Sequence, residues 1–140
     1  MKFIDSNPFI YAFYKPKNEL LDPNKMDLKN KSKAIISRIN EGEKVLTTTI
    51  HISEVYNLLK RNYNQEILNK LVYSLILEEN IQIAGVDKKT LITGQEMAID
   101  NNIDLNDGIA ITIMQEMDVA EIYSFDAHFD NFKWITRLKR

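Results

Sequence analysis

Cysteine is absent from this chain, and glycine and proline are scarce, at four and three in 140 residues. Without cysteine there is no disulfide, no zinc–thiolate site and no thiol nucleophile. The glycines do not cluster, and Gly94 and Gly108 stand alone, so no phosphate-cradling loop is present. The two histidines, His51 and His128, lack the pair spacing of a zinc site. His51 reads as structural or exposed, and His128 as a solvated loop residue with a possible reach to substrate. No apolar run attains the roughly 18–20 residues that span a bilayer. The N-terminus, MKFIDSNPFIYAFYK, places Asp5 and Pro8 where a secretory signal has an unbroken apolar region. A cytoplasmic protein with no membrane association is expected. Net charge is also small, at −2. That argues against holding nucleic acid by bulk electrostatics. An enzyme that meets nucleic acid through bound cations and local basic patches remains open. Lysines at 15, 17, 25, 29, 31 and 33, against acids at 19, 22 and 27, make either such a patch or a solvated face.

What is present is an ordinary globular composition, 44% hydrophobic and 27% charged, and a length suited to one domain over residues 1–140. Lys2–Ile4 reads as a first strand ending at Asp5, and Ser6-Asn7-Pro8 as a helix start. Residues 15–27 read as a loop, then a helix over 28–40 that Gly42 ends. Lys44–Thr49 is a second, β-branched strand. A helix over about 50–62 carries an apolar stripe of Ile52, Val55, Leu58 and Leu59, with Glu54 in its first turns. A further helix over 65–79 turns Ile67, Leu68, Leu71, Val72, Leu75 and Ile76 inward. Strand three covers 81–86, and Asp87 caps a helix to about Asn101. Leu105–Met117 is apolar around much of its girth and reads as a central helix. Strand four covers 122–125, and 132–136 reads as a fifth, edge strand. The alternation predicts an α/β protein, three layers with a central parallel sheet of four or five strands.

All strands of a parallel sheet end at one edge, and ligands bind outside those ends. Asp5 ends strand one, Asp126 ends strand four, and Glu54 lies about a turn beyond strand two. Asp107 opens the central helix, at the same or the opposite edge according to the path of residues 103–105. Asp130 follows Asp126 four residues on. Each acid has a plain alternative: Asp5 or Asp126 as a helix cap or turn residue, one of Asp104 and Asp107 as a cap with the other favouring the helix dipole, and Glu54 as an exposed helical acid. Together at strand ends they form a carboxylate cluster that cannot fully ionise without a counter-charge. Mg²⁺ or Mn²⁺ suits oxygen donors, and such a centre suits phosphodiester hydrolysis.

The pieces FIDSN, TTIHISEV, LNDGIAI and YSFDAHFDNF occur in an order and spacing that resembles the PIN domain family. The resemblance is specifically to the VapC-like single-domain proteins of prokaryotic toxin–antitoxin pairs, and it covers the chain end to end. It implies an α/β/α fold, Mg²⁺- or Mn²⁺-dependent RNA cleavage, an antitoxin partner and a homodimer. It also implies that Asp107 starts its helix at the acidic crevice. Carried over by position, Asp5, Glu54, Asp107 and Asp126 are the metal-site and catalytic acids, with Asp130 ranked below them. Ser124 matches a hydroxyl residue that supports the last acid or contacts substrate. The long 15–27 loop departs from the family's pattern. An RNA-processing nuclease without an antitoxin, and a non-catalytic RNA- or protein-binding module, are the competing readings.

Overall fold

The computed structural model describes residues 1–15 and 22–140. Five parallel strands lie in the order β3-β2-β1-β4-β5. They are β1 (Lys2–Ile4), β2 (Val45–Thr48), β3 (Ile81–Ala84), β4 (Glu121–Tyr123) and β5 (Thr136–Leu138). The helices are α1 (Ser6–Phe13), α2 (Pro23–Asn40), α3 (Thr49–Leu59), α4 (Gln65–Leu77), α5 (Lys88–Asn101) and α6 (Leu105–Glu116). A 3₁₀ turn, Ala127–Asn131, links β4 to β5.

The strand pleat sorts the core into two halves, because successive side chains point to opposite faces. Ile4, Val45 and Tyr123 pack with buried residues of α1, α2, α3 and α4. Their chain neighbours Phe3, Leu46 and Ile122 pack on the other face against α6. Phe3 and Ile4 are both fully buried, each stabilising the fold by about 1.5–3 kcal/mol. Strand order reverses beside β1: β2 and β3 extend to one side, β4 and β5 to the other. The crevice of a parallel sheet opens at such a switch point. Here Ile4 pairs with Tyr123, and Asp5 N–H donates to the Tyr123 carbonyl at 3.0 Å. Asp5 and the segment leading to Asp126 therefore leave the sheet side by side.

Helix starts follow side-chain chemistry. Asp5, Asp22, Thr48, Asn64, Asp87 and Asp104 each accept a backbone N–H at the head of a helix, and so satisfy donors the helix cannot. This corrects one expectation. The loop predicted through Asp27 gives way to helix at Pro23, where Asp22 caps and proline fills the first turn. Proline breaks a helix interior but is pre-set for a helix start. Residues 16–21 of that predicted loop lie outside the described residues.

The fifth strand begins at Thr136 rather than covering 132–136. Ile135 N–H donates to the Phe132 carbonyl at 3.0 Å, making a turn that drops Ile135 into the core against the α6 side. The stripe on α4 is narrower than predicted. Leu68, Val72 and Leu75 are buried, but Ile67 and Ile76 are half exposed, as is Leu58 on α3.

Gly94 on α5 and Gly108 on α6 meet where these helices cross. A Cβ on Gly108 would lie 2.1 Å from the Gly94 carbonyl oxygen. Glycine is required there for backbone approach, and this crossing holds the start of α6 in place. Gly108→Ala is expected to destabilise the protein by about 1–3 kcal/mol through overpacking, despite alanine's better helix propensity. Gly85→Ala, where a Cβ meets nothing within 4 Å, should stay within about 0.5 kcal/mol of wild type. Denaturant titration checks the pair, and equal midpoints would refute the close-approach assignment.

Candidate metal centre

The crevice is built outward from Asp5. Its backbone leaves β1 and its carboxylate turns back over the start of α1. Oδ1 accepts from Ser6 N–H at 2.8 Å, and Oδ2 accepts from the Ser124 hydroxyl at 2.8 Å. Ser124 in turn accepts from Asp126 N–H at 3.0 Å. One buried hydroxyl thus ties the two neighbouring strand ends together. Asp5 is only 6% exposed. Burial pushes its carboxyl up, the Ser124 and Ser6 donors oppose that, and the charges of Asp126 and Asp104 add to it.

Asp107 enters from the other face of the sheet. Asp104 caps α6 by accepting Asp107 N–H at 2.8 Å, so the capping role belongs to Asp104 and the Asp107 side chain is free. The helix start lies at the acidic edge, as the charges facing Asp107 make plain. Its carboxyl is pushed up to about 8 by burial, with Asp104, Asp5 and Asp126 adding repulsion. Asp107 is 5% exposed, and its Oδ2 is buried with no hydrogen-bond partner among the described residues.

Asp126 follows β4 and caps the 3₁₀ turn, Oδ1 accepting His128 N–H at 2.9 Å. That turn carries the His128 ring into the crevice, where Nδ1 lies 3.1 Å from Asp126 Oδ1 and 3.7 Å from Asp107 Oδ2. One ligand-type atom from each of Asp107, Asp126 and His128 lies within 4.8 Å of the others. Glu54, one turn into α3, accepts a hydrogen bond from the Asn106 amide through Oε2. Asn106 precedes Asp107, so this bond ties Glu54 to the α6 side of the crevice. Asp130 faces elsewhere: Arg137 donates to it through Nε at 2.8 Å and Nη2 at 2.6 Å. This pair holds Asp130 below the usual carboxylate range.

Three contributors lacked a clear sequence signal. Asn106 is an amide beside an acid, with nothing in its spacing to mark it. His128 reads from the sequence as a solvated loop residue with a possible reach to substrate, with nothing in its spacing to place its ring between two acids. His51 is fully buried behind Asp5, its Nδ1 2.7 Å from Thr48 Oγ1 and its ring edge-on to Phe3. Its Nε2 has no hydrogen-bond partner and lies 3.8 Å from Asp5 Oδ1. Burial depresses its pKa to about 4.

The model of the PIN domain family matches residues 2–135. This chain belongs to the PIN domain family. Solved structures of the same fold include the VapC20 toxin of Mycobacterium tuberculosis, described as cleaving the sarcin–ricin loop. Its TM-score is 0.74 at 13% identity, over 94% of this chain and 94% of that one. A toxin–antitoxin complex from Klebsiella pneumoniae matches at TM-score 0.66 and 12% identity, over 97% and 96% of the chains. VapBC2 of Rickettsia felis, bound to a DNA fragment from its promoter, matches at 0.62 and 10%, over 98% and 96%. No curated protein matches significantly. At these identities the structural likeness is one of fold. Within the PIN fold, the five-stranded parallel sheet and its helical layers agree with the architecture read from the sequence.

The raised Asp107 carboxyl makes stability depend on pH. Between the unfolded value of about 3.9 and about 8, the folded protein keeps a proton that the unfolded chain has released. Stability in EDTA therefore falls as pH rises through that window. His51, depressed to about 4, works in the opposite direction below about 6.5, so the clean range is about pH 6.5–8.5. The melting temperature should fall across that range, and Asp107→Asn should make the fall shallower, leaving the share that the raised Asp5 carboxyl contributes. An identical slope in the variant would mean that Asp107 ionises normally.

Proposed function

We propose that this PIN-domain protein is a divalent-metal-dependent endoribonuclease, acting as the toxin of a type II toxin–antitoxin pair. The observation that carries the catalytic part is Asp107 Oδ2. It is buried, has no hydrogen-bond donor, and shares its crevice with Asp5, Asp104 and Asp126. A buried carboxylate in such company is costly unless a cation neutralises it. The donors are mainly carboxylate oxygens, which suit Mg²⁺ or Mn²⁺.

Asp107 and Asp126 are the residues that would hold the ion, with Asp5 and Glu54 adding charge from β1 and α3. Once bound, such an ion supplies Lewis-acid charge and acidifies water for phosphodiester hydrolysis. Ser124 fixes Asp5 and the Asp126 backbone together, so the acids keep their spacing when a phosphate approaches. Asn106 does the same for Glu54. Asp104 spends its carboxylate on the α6 cap and raises the negative potential that draws a cation in. Asp130 is engaged by Arg137 and takes no part.

The toxin reading draws support from fold likeness to a VapC toxin and to toxin–antitoxin complexes. On that reading the substrate is RNA, the partner is an antitoxin protein, and the protein works in the cytoplasm as a homodimer. The same acids would serve an RNA-processing nuclease without an antitoxin. Growth arrest on expression, relieved by a small neighbouring reading frame, separates the two.

Asp107→Asn keeps side-chain size and removes the charge. It is expected to lower Mn²⁺- or Mg²⁺-dependent cleavage of single-stranded RNA by about 10²-fold or more while leaving the circular dichroism spectrum unchanged. Mn²⁺ should also stabilise the wild type, by about 2.7 kcal/mol at roughly 100 times its Kd, and the variant much less. RNA cleavage that survives both EDTA and this substitution would overturn the assignment.

A further inference from the structure

We propose that His128 is a ring-nitrogen ligand of this centre, biasing it toward Mn²⁺ and other transition-metal dications over Mg²⁺. The proposal rests on reading the acidic crevice as a metal site. It adds a nitrogen donor to what was otherwise an all-oxygen set.

Geometry supports it first. An octahedral ion with bonds of about 2.1 Å has neighbouring ligand atoms about 3.0 Å apart and opposite ones about 4.2 Å apart. His128 Nδ1 lies 3.1 Å from Asp126 Oδ1 and 3.7 Å from Asp107 Oδ2. Both separations fall between those bounds, and the ligand atoms of Asp107, Asp126 and His128 all lie within 4.8 Å of one another, so the His128 ring stands at the distance a ligand of an ion shared with these two acids needs. The placement is also built rather than incidental. Asp126 caps the turn by accepting His128 N–H at 2.9 Å, which fixes the two side chains on the same side of the turn. The third atom, Asp107 Oδ2, is buried and unpartnered and faces the ring nitrogen.

The second argument contrasts the two histidines. His51 is fully buried, bonded to Thr48 and packed on Phe3, which accounts for it as a core residue. The His128 side chain is 56% exposed, so core packing does not explain why its ring turns toward two carboxylates. Its open side leaves coordination positions accessible to water and a phosphate. The third argument is donor chemistry. Mg²⁺ prefers oxygen and gains little from imidazole, Fe²⁺, Ni²⁺ and Zn²⁺ accept it readily, and Mn²⁺, though mainly an oxygen-site ion, accommodates it better than Mg²⁺ does.

The test combines calorimetric titration of Mn²⁺ and Mg²⁺ with electron spin-echo spectroscopy of the Mn²⁺-loaded protein. The wild type should show nitrogen-14 coupling to Mn²⁺, and His128→Gln should lose it. In that variant Mn²⁺ affinity should fall about tenfold or more, the scale of perturbing a ligand shell, with Mg²⁺ affinity changing much less. Mn²⁺ that binds the wild type without nitrogen coupling, and binds the variant equally well, would overturn the ligand assignment and leave the metal centre standing. Nitrogen coupling that persists in His128→Gln would point to His51 and overturn it too. Failure of the wild type to bind either ion at millimolar concentration would overturn the metal centre itself, and this proposal with it.

Discussion

Burial of Asp5 and Asp107 in one crevice, beside Asp104 and Asp126, is the constraint around which the rest of the structure is arranged. Like charges at short range in a poorly solvated site oppose ionisation, and burial is the largest influence on both buried acids. A fold under no functional demand would expose one of them or replace it. Here the elements that bring them together are rigid. Asp5 sits at the end of the central strand, and Asp107 sits on a helix seated by a glycine–glycine crossing. Neither can retreat without breaking the core behind it.

A second cluster of charged and phenolic groups shows what a settled network looks like. Glu43 accepts from Lys2 Nζ at 2.6 Å and from the Tyr123 hydroxyl at 2.7 Å. Arg38 lies 3.4 Å from the same carboxylate. Burial opposes the Glu43 charge, but the Lys2 and Tyr123 donors outweigh it and hold that carboxyl below its ordinary range. Asp107 has the opposite balance: deeper burial, acidic neighbours and an orphaned oxygen. One carboxylate is balanced by donors and cations of the chain itself, and the other is not. That contrast, more than the number of acids, separates scaffold from site.

The aspartates divide their labour by oxygen atom. Asp104 gives its carboxylate to the α6 cap, and Asp126 uses Oδ1 both to cap the 3₁₀ turn and to face the His128 ring. Asp5 uses both oxygens on Ser6 and Ser124, which fixes its orientation. Asp130 is spent on Arg137. Acids a few residues apart in sequence thus have unrelated roles, set by which donors reach them.

Local chemistry made much of this legible in the chain itself. The alternation of β-branched runs with amphipathic helices gave the parallel sheet and its layers, because side-chain period and crossover geometry are local rules. Asp5 and Asp126 could be assigned to one sheet edge because both follow strands. Other features depended on long-range packing. The Pro23 start of α2 is the exception, a local signal of an Asp22 cap before a first-turn proline that a loop reading of the same proline overrides. Ile67 and Ile76 satisfied the apolar pattern of α4 yet stayed half exposed, since periodicity names a stripe and not its width. The edge on which Asp107 opens was open on periodicity and followed only from the family resemblance; the amide that reaches Glu54, the arginine that engages Asp130 and the ring beside Asp126 were decided by tertiary structure alone. Each is a contact between residues whose meeting depends on how the sheet, the helix crossing and the final turn pack in space, and no residue pattern along the chain encodes that distance.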